Sequence, residues 1–351
     1  MSEFNNVFAG RGARRVCAIC ERSFPLISEA LGVCPVCARA AGGLAHAREA
    51  HERSRRRFTL PDLPPRTRDG VQCGQCAAEC SIGEGERSYC GVNTVEEGRL
   101  VHVAGSPERG ELHWYRDPLP TNCVADWVCA GHGRDGMHNL AVCYLSCTLD
   151  CLFCQNWQFR DVDPLRSTGT SAEQLAAQAN ARTFCACFFG GDPASQMGHA
   201  LASAELLAAR GVRVCWETAG TSSPDLLERA ALYSLDTGGC VKFDLKAFTD
   251  PLHVALTGSS NRRTLSNFAR MAELCAERSN GPLLVASTLL VPGYVDAREV
   301  KRIARFIADW NPEIPYSLLA FAPAYRRSDL PPTSAAHAEE ALQAARDAGL
   351  K

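Results

Sequence analysis

Cys147, Cys151 and Cys154 lie in the stretch CTLDCLFCQN, three thiols within eight residues. A loop this short can wrap one inorganic cluster, and three thiolates would hold three irons of a cubane [4Fe–4S] cluster. The fourth iron then stays open to a small molecule, as the free position of a catalytic metal site does. Cys143 is the alternative fourth ligand that would close the cluster, but it falls inside an apolar strand pattern.

Two further sets of four cysteines precede this loop. CAIC (Cys17, Cys20) and CPVC (Cys34, Cys37) are thirteen residues apart. That spacing closes a tetrahedral four-thiolate site, with zinc as the default ion and a rubredoxin-like iron as the alternative. A segment so short buries little core, so the metal is expected to supply its folding energy. Cys73, Cys76, Cys80 and Cys90 form the second set, which suits zinc or an auxiliary iron–sulfur cluster. The chain has nineteen cysteines. Clustered spacing of this kind indicates metal rather than disulfides in a reducing compartment.

Stepping outward from the thiols, the 351 residues divide into four parts. Residues 1–57 are a zinc-ribbon-like segment and 58–72 a Pro/Arg-rich linker. Residues 73–138 are a cysteine-rich extension, and 139–351 carry an alternating pattern of short apolar strands and helices. Strands are expected at 139–145, 183–189, 212–217, 240–246, 282–290 and 314–321. Helices are expected at 171–181, 195–209, 224–233, 264–278, 297–310 and 334–349, the first capped by Ser171. Continuous apolar strands with helical crossovers imply a parallel sheet. The predicted fold class is α/β, a partial six-unit β/α barrel preceded by small metal-binding segments.

No apolar run reaches membrane-spanning length, and the N-terminus lacks the apolar stretch of a signal peptide, so a cytoplasmic protein is expected. Net charge is −2, which gives no global nucleic-acid signature. Residues 1–70 are basic, with 12 Arg against 7 acidic residues. Their densest run, RSRRRF at 53–58, reads as a solvated linker face, with a nucleic-acid or partner contact as the alternative.

In a β/α barrel the site lies at the C-terminal ends of the strands. Those ends carry, in order, the three-cysteine loop, GGDP, WETAG, FDLKAF, VPGYVD and FAPAY. Each has an ordinary turn or ion-pair reading alone, but together they converge on one rim.

The motifs CLFCQNW, FFGGDP, WETAG, KFDLKAF, LVPGYVD and PYSLLAFAP resemble the radical S-adenosylmethionine (SAM) superfamily, in its pyruvate formate-lyase-activating-enzyme-like branch. That branch includes the radical SAM proteins named for co-occurrence with Memo and AMMECR proteins. The resemblance covers about 139–351 and, more weakly, 73–90. It implies that SAM chelates the open iron and is cleaved reductively to a 5′-deoxyadenosyl radical, which takes a hydrogen atom from an unknown substrate. It further implies that Gly190, Gly191 and Asp192 present backbone groups to the SAM amine. Glu217, Thr218, Asp244 and Lys246 then match positions holding ribose and carboxylate, with Phe153 beside the adenine. A monovalent cation near these groups and an electron donor such as flavodoxin or ferredoxin fit the same family.

The stretch DPLPTNCVADWVCAG (117–131) departs from that branch and adds Cys123 and Cys129. They read as buried small hydrophobes, or as groups approaching a substrate or an auxiliary cluster. The substrate is a small molecule or a protein. The alternatives are an activase for a glycyl-radical enzyme and, from another class, a metal-stapled nucleic-acid-binding protein, a partner against which the rim motifs argue.

Overall fold

A computed structural model of the chain describes residues 14–164, 166–275 and 281–351. Most of the N-terminal stretch read for a leader, and the last residues of the helix expected at 264–278, lie outside them.

The chain opens with β1 (Arg15–Val16), β2 (Ser23–Phe24), α1 (Pro35–Ala38) and α2 (Leu44–Arg56). Two small ribbons follow, β3 (Val71–Gln72) with β4 (Ser81–Ile82), and β5 (Asn93–Glu96) with β6 (Arg99–His102). The main sheet contains β7 (Leu112–Pro118), β8 (His138–Tyr144), β9 (Thr183–Phe189) and β10 (Arg213–Thr218). It continues with β11 (Val241–Asp244), β12 (Leu284–Leu290) and β13 (Tyr316–Ala320). Strands adjacent in sequence are adjacent in space, with β7 and β13 at opposite edges. From β8 to β13 every pairing is parallel, whereas β7 runs antiparallel to β8. These are the six predicted β/α units in a barrel left open between its edges, with one added antiparallel strand.

The helices are α3 (Ala172–Ala176), α4 (Met197–Ala209), α5 (Pro224–Thr237), α6 (Asp250–Thr257), α7 (Arg262–Leu274), α8 (Ala297–Trp310) and α9 (Ala335–Asp347). Alternate strand residues, among them Val142, Phe188, Trp216 and Phe243, pack into one core with residues of α4, α5, α7 and α8. The rings of Phe188 and Trp216 stack with centroids 4.6 Å apart. The intervening residues face the sheet's interior, because side chains alternate across a strand.

Helix boundaries follow capping chemistry. Ser171 closes a capping box with Gln174, Asp296 accepts from the Glu299 amide, and Ser334 accepts from the His337 amide. α3 is shorter than the expected 171–181. It ends at Ala176, and beyond it the Asn180 side chain accepts from the Arg182 amide at 2.9 Å in a turn.

The N-terminal segment shares a core with the barrel. Ile27, Leu31, Val33 and Cys34 pack in one cluster with Leu149, Leu152, Leu252 and Tyr294. The Tyr294 hydroxyl donates to the Val33 carbonyl at 2.8 Å and accepts from the Ser28 amide at 3.0 Å. The VPGYVD turn therefore anchors this segment. The basic run is also more than a solvated face. Arg55, on α2, is 1% exposed, lies over the Tyr89 ring and donates to the Pro61 and Tyr89 carbonyls. Arg56 keeps an exposed pairing with Asp62.

Candidate active site

The C-terminal ends of β8 to β11 border a cavity of about 280 Å³. Cys147, Cys151 and Cys154 line it from the loop after β8, and Phe153 joins them from between the last two. Gly190, Gly191 and Asp192 line it after β9, Glu217 and Thr218 on β10, and Asp244 and Lys246 on and after β11. One space thus gathers the three cysteines and the residues assigned after the next three strands, whereas the VPGYVD and FAPAY turns do not line it.

No fourth cysteine lines this cavity among the described residues. Cys143 pairs with Phe189 in the sheet, and its sulfur lies against Gly190. Burial pushes the Cys151 thiol up to about 12 and raises Cys147 and Cys154 as well. Such thiols become ligands when a cation stabilises the thiolates, so three of them facing one cavity fit an iron cluster with one open position.

The glycines are dictated by close approach. A Cβ at Gly191 would fall 2.2 Å from the Tyr144 carbonyl oxygen, and one at Gly190 would fall 2.7 Å from the Cys143 sulfur. Both have positive φ, 65° at Gly190 and 58° at Gly191. Asp192 turns its side chain away from this cradle and into the protein. It accepts from the Thr218 hydroxyl at 3.0 Å, the Thr148 hydroxyl at 3.2 Å and the Ala194 amide at 3.0 Å. Burial pushes its carboxyl up, opposed by those hydrogen bonds.

Asp244 and Lys246 form a close ion pair beside the Cys151 thiol, with the ammonium 5.7 Å from the centre of the Phe153 ring. Burial disfavours charge on Lys246, but Asp244 together with the Cys151 and Cys147 thiols outweighs it and raises the ammonium's pKa. Asp244 Oδ1 is buried without a hydrogen-bond partner. This orphaned acceptor on the cavity wall fits a ligand with a hydroxyl or a cation to offer. Glu217 points elsewhere. Its carboxylate takes a hydrogen bond from the Lys242 ammonium at 2.8 Å, deeper in the sheet's interior.

Sequence reasoning misses Lys242 and the support under the three-cysteine loop. Asp150, within that loop and wholly buried, accepts from His51 at 2.8 Å and Ser54 at 3.0 Å and pairs closely with Arg160. The Tyr325 hydroxyl lies 2.7 Å from that of Ser54. An acidic residue between two of the three cysteines is the available signal, but its partners are His51 and Ser54 of α2 and Arg160, and Tyr325 of the FAPAY turn reaches it only through Ser54 and Arg160.

The two four-cysteine sets differ in geometry. The sulfurs of Cys17, Cys20, Cys34 and Cys37 lie within 4.8 Å of one another, and this is the one such group among the described residues. That spread suits a single tetrahedral ion. Cys73, Cys76, Cys80 and Cys90 surround a small cavity closed by Ala194 and Ser195 of the turn after β9. The Asn93 amide donates to Cys73 at 3.4 Å, as the Tyr89 amide does to Cys80. Cys90 and Cys147 both line another cavity, of about 230 Å³.

Residues 142–307 match the Radical SAM superfamily. An isethionate sulfite-lyase activating enzyme of Desulfovibrio desulfuricans is 35% identical over 133 residues, 38% of this chain and 40% of its own length. A protein of Methanocaldococcus jannaschii named as a glycyl-radical enzyme activating enzyme is 26% identical over 117 residues, 33% of this chain and 42% of its own. The chain thus spans about two-fifths of the length of these curated relatives. A crystallised domain of a pyruvate-formate lyase-activating enzyme from Bacteroides vulgatus is 19% identical, covering 47% of this chain and 94% of that one, with a TM-score of 0.37. With its three-thiol cavity at the end of a parallel β/α sheet, the chain carries a radical SAM match over residues 142–307, just under half of its length, and is similar over about a third of its length to proteins named as activating enzymes.

Proposed function

We propose that the protein reductively cleaves S-adenosylmethionine and uses the 5′-deoxyadenosyl radical to take a hydrogen atom from a substrate. The observation that carries this reading is the single cavity shared by Cys147, Cys151, Cys154, the Gly190–Gly191 cradle, Asp244 and Lys246. Cys147, Cys151 and Cys154 would hold a [4Fe–4S] cluster, which when bound would supply the electron for cleavage of the sulfonium C–S bond.

The chain's own residues bind and orient. The Gly190–Asp192 backbone lies where an amine can approach it closely. Lys246 offers a cation to a carboxylate, and Asp244 Oδ1 is the acceptor for a ribose hydroxyl or a monovalent cation. Phe153 presents an aromatic surface for the adenine. Thr218 serves indirectly, since its hydroxyl fixes Asp192. Glu217, paired with Lys242, belongs to the substrate side of the cavity and not to the SAM rim. The cavity beside Cys147 is lined by Arg57 and Arg87 together with Asp161 and Asp163, and is the side from which an electron donor such as flavodoxin or ferredoxin would approach. The compact 17–37 quartet is assigned to one zinc ion, and the 73–90 quartet to zinc or an auxiliary cluster. No helix among the described residues is long and apolar enough to cross a membrane, and a cytoplasmic setting suits oxygen-sensitive thiolate centres.

The substrate reading favoured by the relatives is a glycyl residue of a partner enzyme. The finer resemblance to the Memo- and AMMECR-associated branch rests on sequence motifs alone. A stable glycyl-radical resonance in a partner protein incubated with the chain would establish the activase reading. Adding SAM to the reduced, iron-loaded protein should change its paramagnetic resonance signal, because a ligand enters the open iron position. An unchanged signal would refute the cofactor assignment.

A further inference from the structure

Eleven of the nineteen cysteines belong to the three groups above. Six of the other eight meet inside the sheet. Cys185 and Cys187 on β9 and Cys215 on β10 face the interior, where Cys240 joins them just before β11. Cys123 and Cys129 reach the same space from the connection between β7 and β8. That connection crosses the whole interior, since its Val124 carbonyl accepts from Ser317 of the far-edge strand β13 at 2.9 Å.

Packing alone does not account for this arrangement. On the outward faces of β9, β10 and β11 the residues are Ala186, Phe188, Val214, Trp216, Val241 and Phe243, ordinary hydrophobes. The thiols are confined to the interior face, and they adjoin one another. The sulfurs of Cys215 and Cys240 are 3.9 Å apart. Cys129 lines one cavity with Cys215 and Cys240 and an adjoining one with Cys123 and Cys215. Two cations face the group. The Lys242 ammonium lies 3.8 Å from the Cys123 sulfur and 3.9 Å from that of Cys187. The Arg213 guanidinium lines the cavity shared by Cys129, Cys215 and Cys240, with its Nε buried and without a hydrogen-bond partner. Neutral thiols are weak acceptors for such donors, whereas metal-bound thiolates are strong ones.

We propose that Cys123, Cys129, Cys215 and Cys240 hold a thiolate-ligated metal centre, zinc or a small iron–sulfur cluster, inside the barrel. Two ligands come from the crossing connection and two from the strand side, so the centre fastens the connection to the sheet. It lies beneath the Glu217–Lys242 pair, which lines both the thiol-rich space and the cofactor cavity. Binding exchanges thiol protons for the metal, leaving an anionic centre that Lys242 and Arg213 face. The four sulfurs are less tightly gathered than the 17–37 quartet, which favours a cluster with several metal atoms over a lone ion.

The test uses the full chain, purified without oxygen, with Cys147, Cys151 and Cys154 changed to Ala so that the catalytic cluster contributes no iron. Zinc, iron and acid-labile sulfide are counted per chain, with and without the added pair Cys215→Ser and Cys240→Ser. The expected result is loss of one metal complement, with the metal of the 17–37 and 73–90 quartets retained. Loss of zinc alone identifies an ion, and loss of iron with sulfide identifies a cluster. Should the strand-side variant fail to fold, Cys123→Ala with Cys129→Ala, on the partly exposed connection, reads the same loss. Unchanged metal content in a folded variant overturns the proposal. So does a native mass lowered by about two hydrogens per cysteine pair, which would show disulfides in place of a centre.

Discussion

The His51 imidazole of α2 bonds to the Asp150 carboxylate between the first two cysteines of the three-cysteine loop, Nδ1 to Oδ2 at 2.8 Å. The N-terminal segment therefore holds the loop that carries the three thiols. Asp150 is wholly buried, and removing it strands the Arg160 guanidinium. Asp150→Ala should cost about 3–5 kcal/mol of stability. Iron loading at the loop should fall with it, as read by denaturant unfolding and iron content. A fully loaded variant of unchanged stability would contradict this role.

Glu217 and Lys242 are register partners on β10 and β11, paired across the interior. Their position predicts a division of labour. Lys246→Ala should weaken SAM binding about tenfold or more, equal to about 1.4 kcal/mol. Glu217→Gln should leave SAM affinity within a few-fold and act on turnover of the natural substrate. Calorimetric titration with SAM separates the two, and equal losses would return Glu217 to the cofactor rim.

Cys34→Ser should release one metal ion from the 17–37 quartet. The effect should also reach beyond the N-terminus, because Cys34 packs in one core with Leu149 and Leu152 of the three-cysteine loop. Metal analysis with hydrogen exchange should show faster exchange at both places. Unchanged protection of the loop would mean that the two ends of this core unfold independently.

His199 and His253 are buried, and burial lowers each to about 4. Unfolded, a histidine titrates near 6.5, so between those values the unfolded chain binds the extra protons and stability rises with pH. Stability is thus complete above about pH 6.5 and is lost as pH falls towards 4, by about 3 kcal/mol for each group. His199→Gln should flatten that slope by about half in unfolding experiments run across this range. An unaltered slope would show that His199 is protonated in the folded protein.

The six parallel strands were legible because strands buried on both faces read as unbroken apolar runs. Rim residues were legible because they follow those runs directly. α2 was not, since the residues it buries include His51, Ser54 and Arg55, which leave no apolar period to find. α6 spans only eight residues, and its Pro251 and Gly258 mimic a turn in the sequence. Glu217 shows a different limit. Its place at a strand end could be read, but its partner depends on the register of the next strand, which a pattern of apolar residues does not fix. Cys185, Cys187 and Cys215 were hidden in the same way, as apparent hydrophobes in apolar strands.

The central claim is that Cys147, Cys151 and Cys154 support reductive cleavage of SAM. Its most direct measurement is 5′-deoxyadenosine formed when the reconstituted protein is incubated anaerobically with dithionite and SAM. The wild type should form it, and the Cys151→Ala variant, folded and with the other thiol groups intact, should form none. No product from an iron-loaded wild type under strong reduction, or equal product from both proteins, would contradict the account.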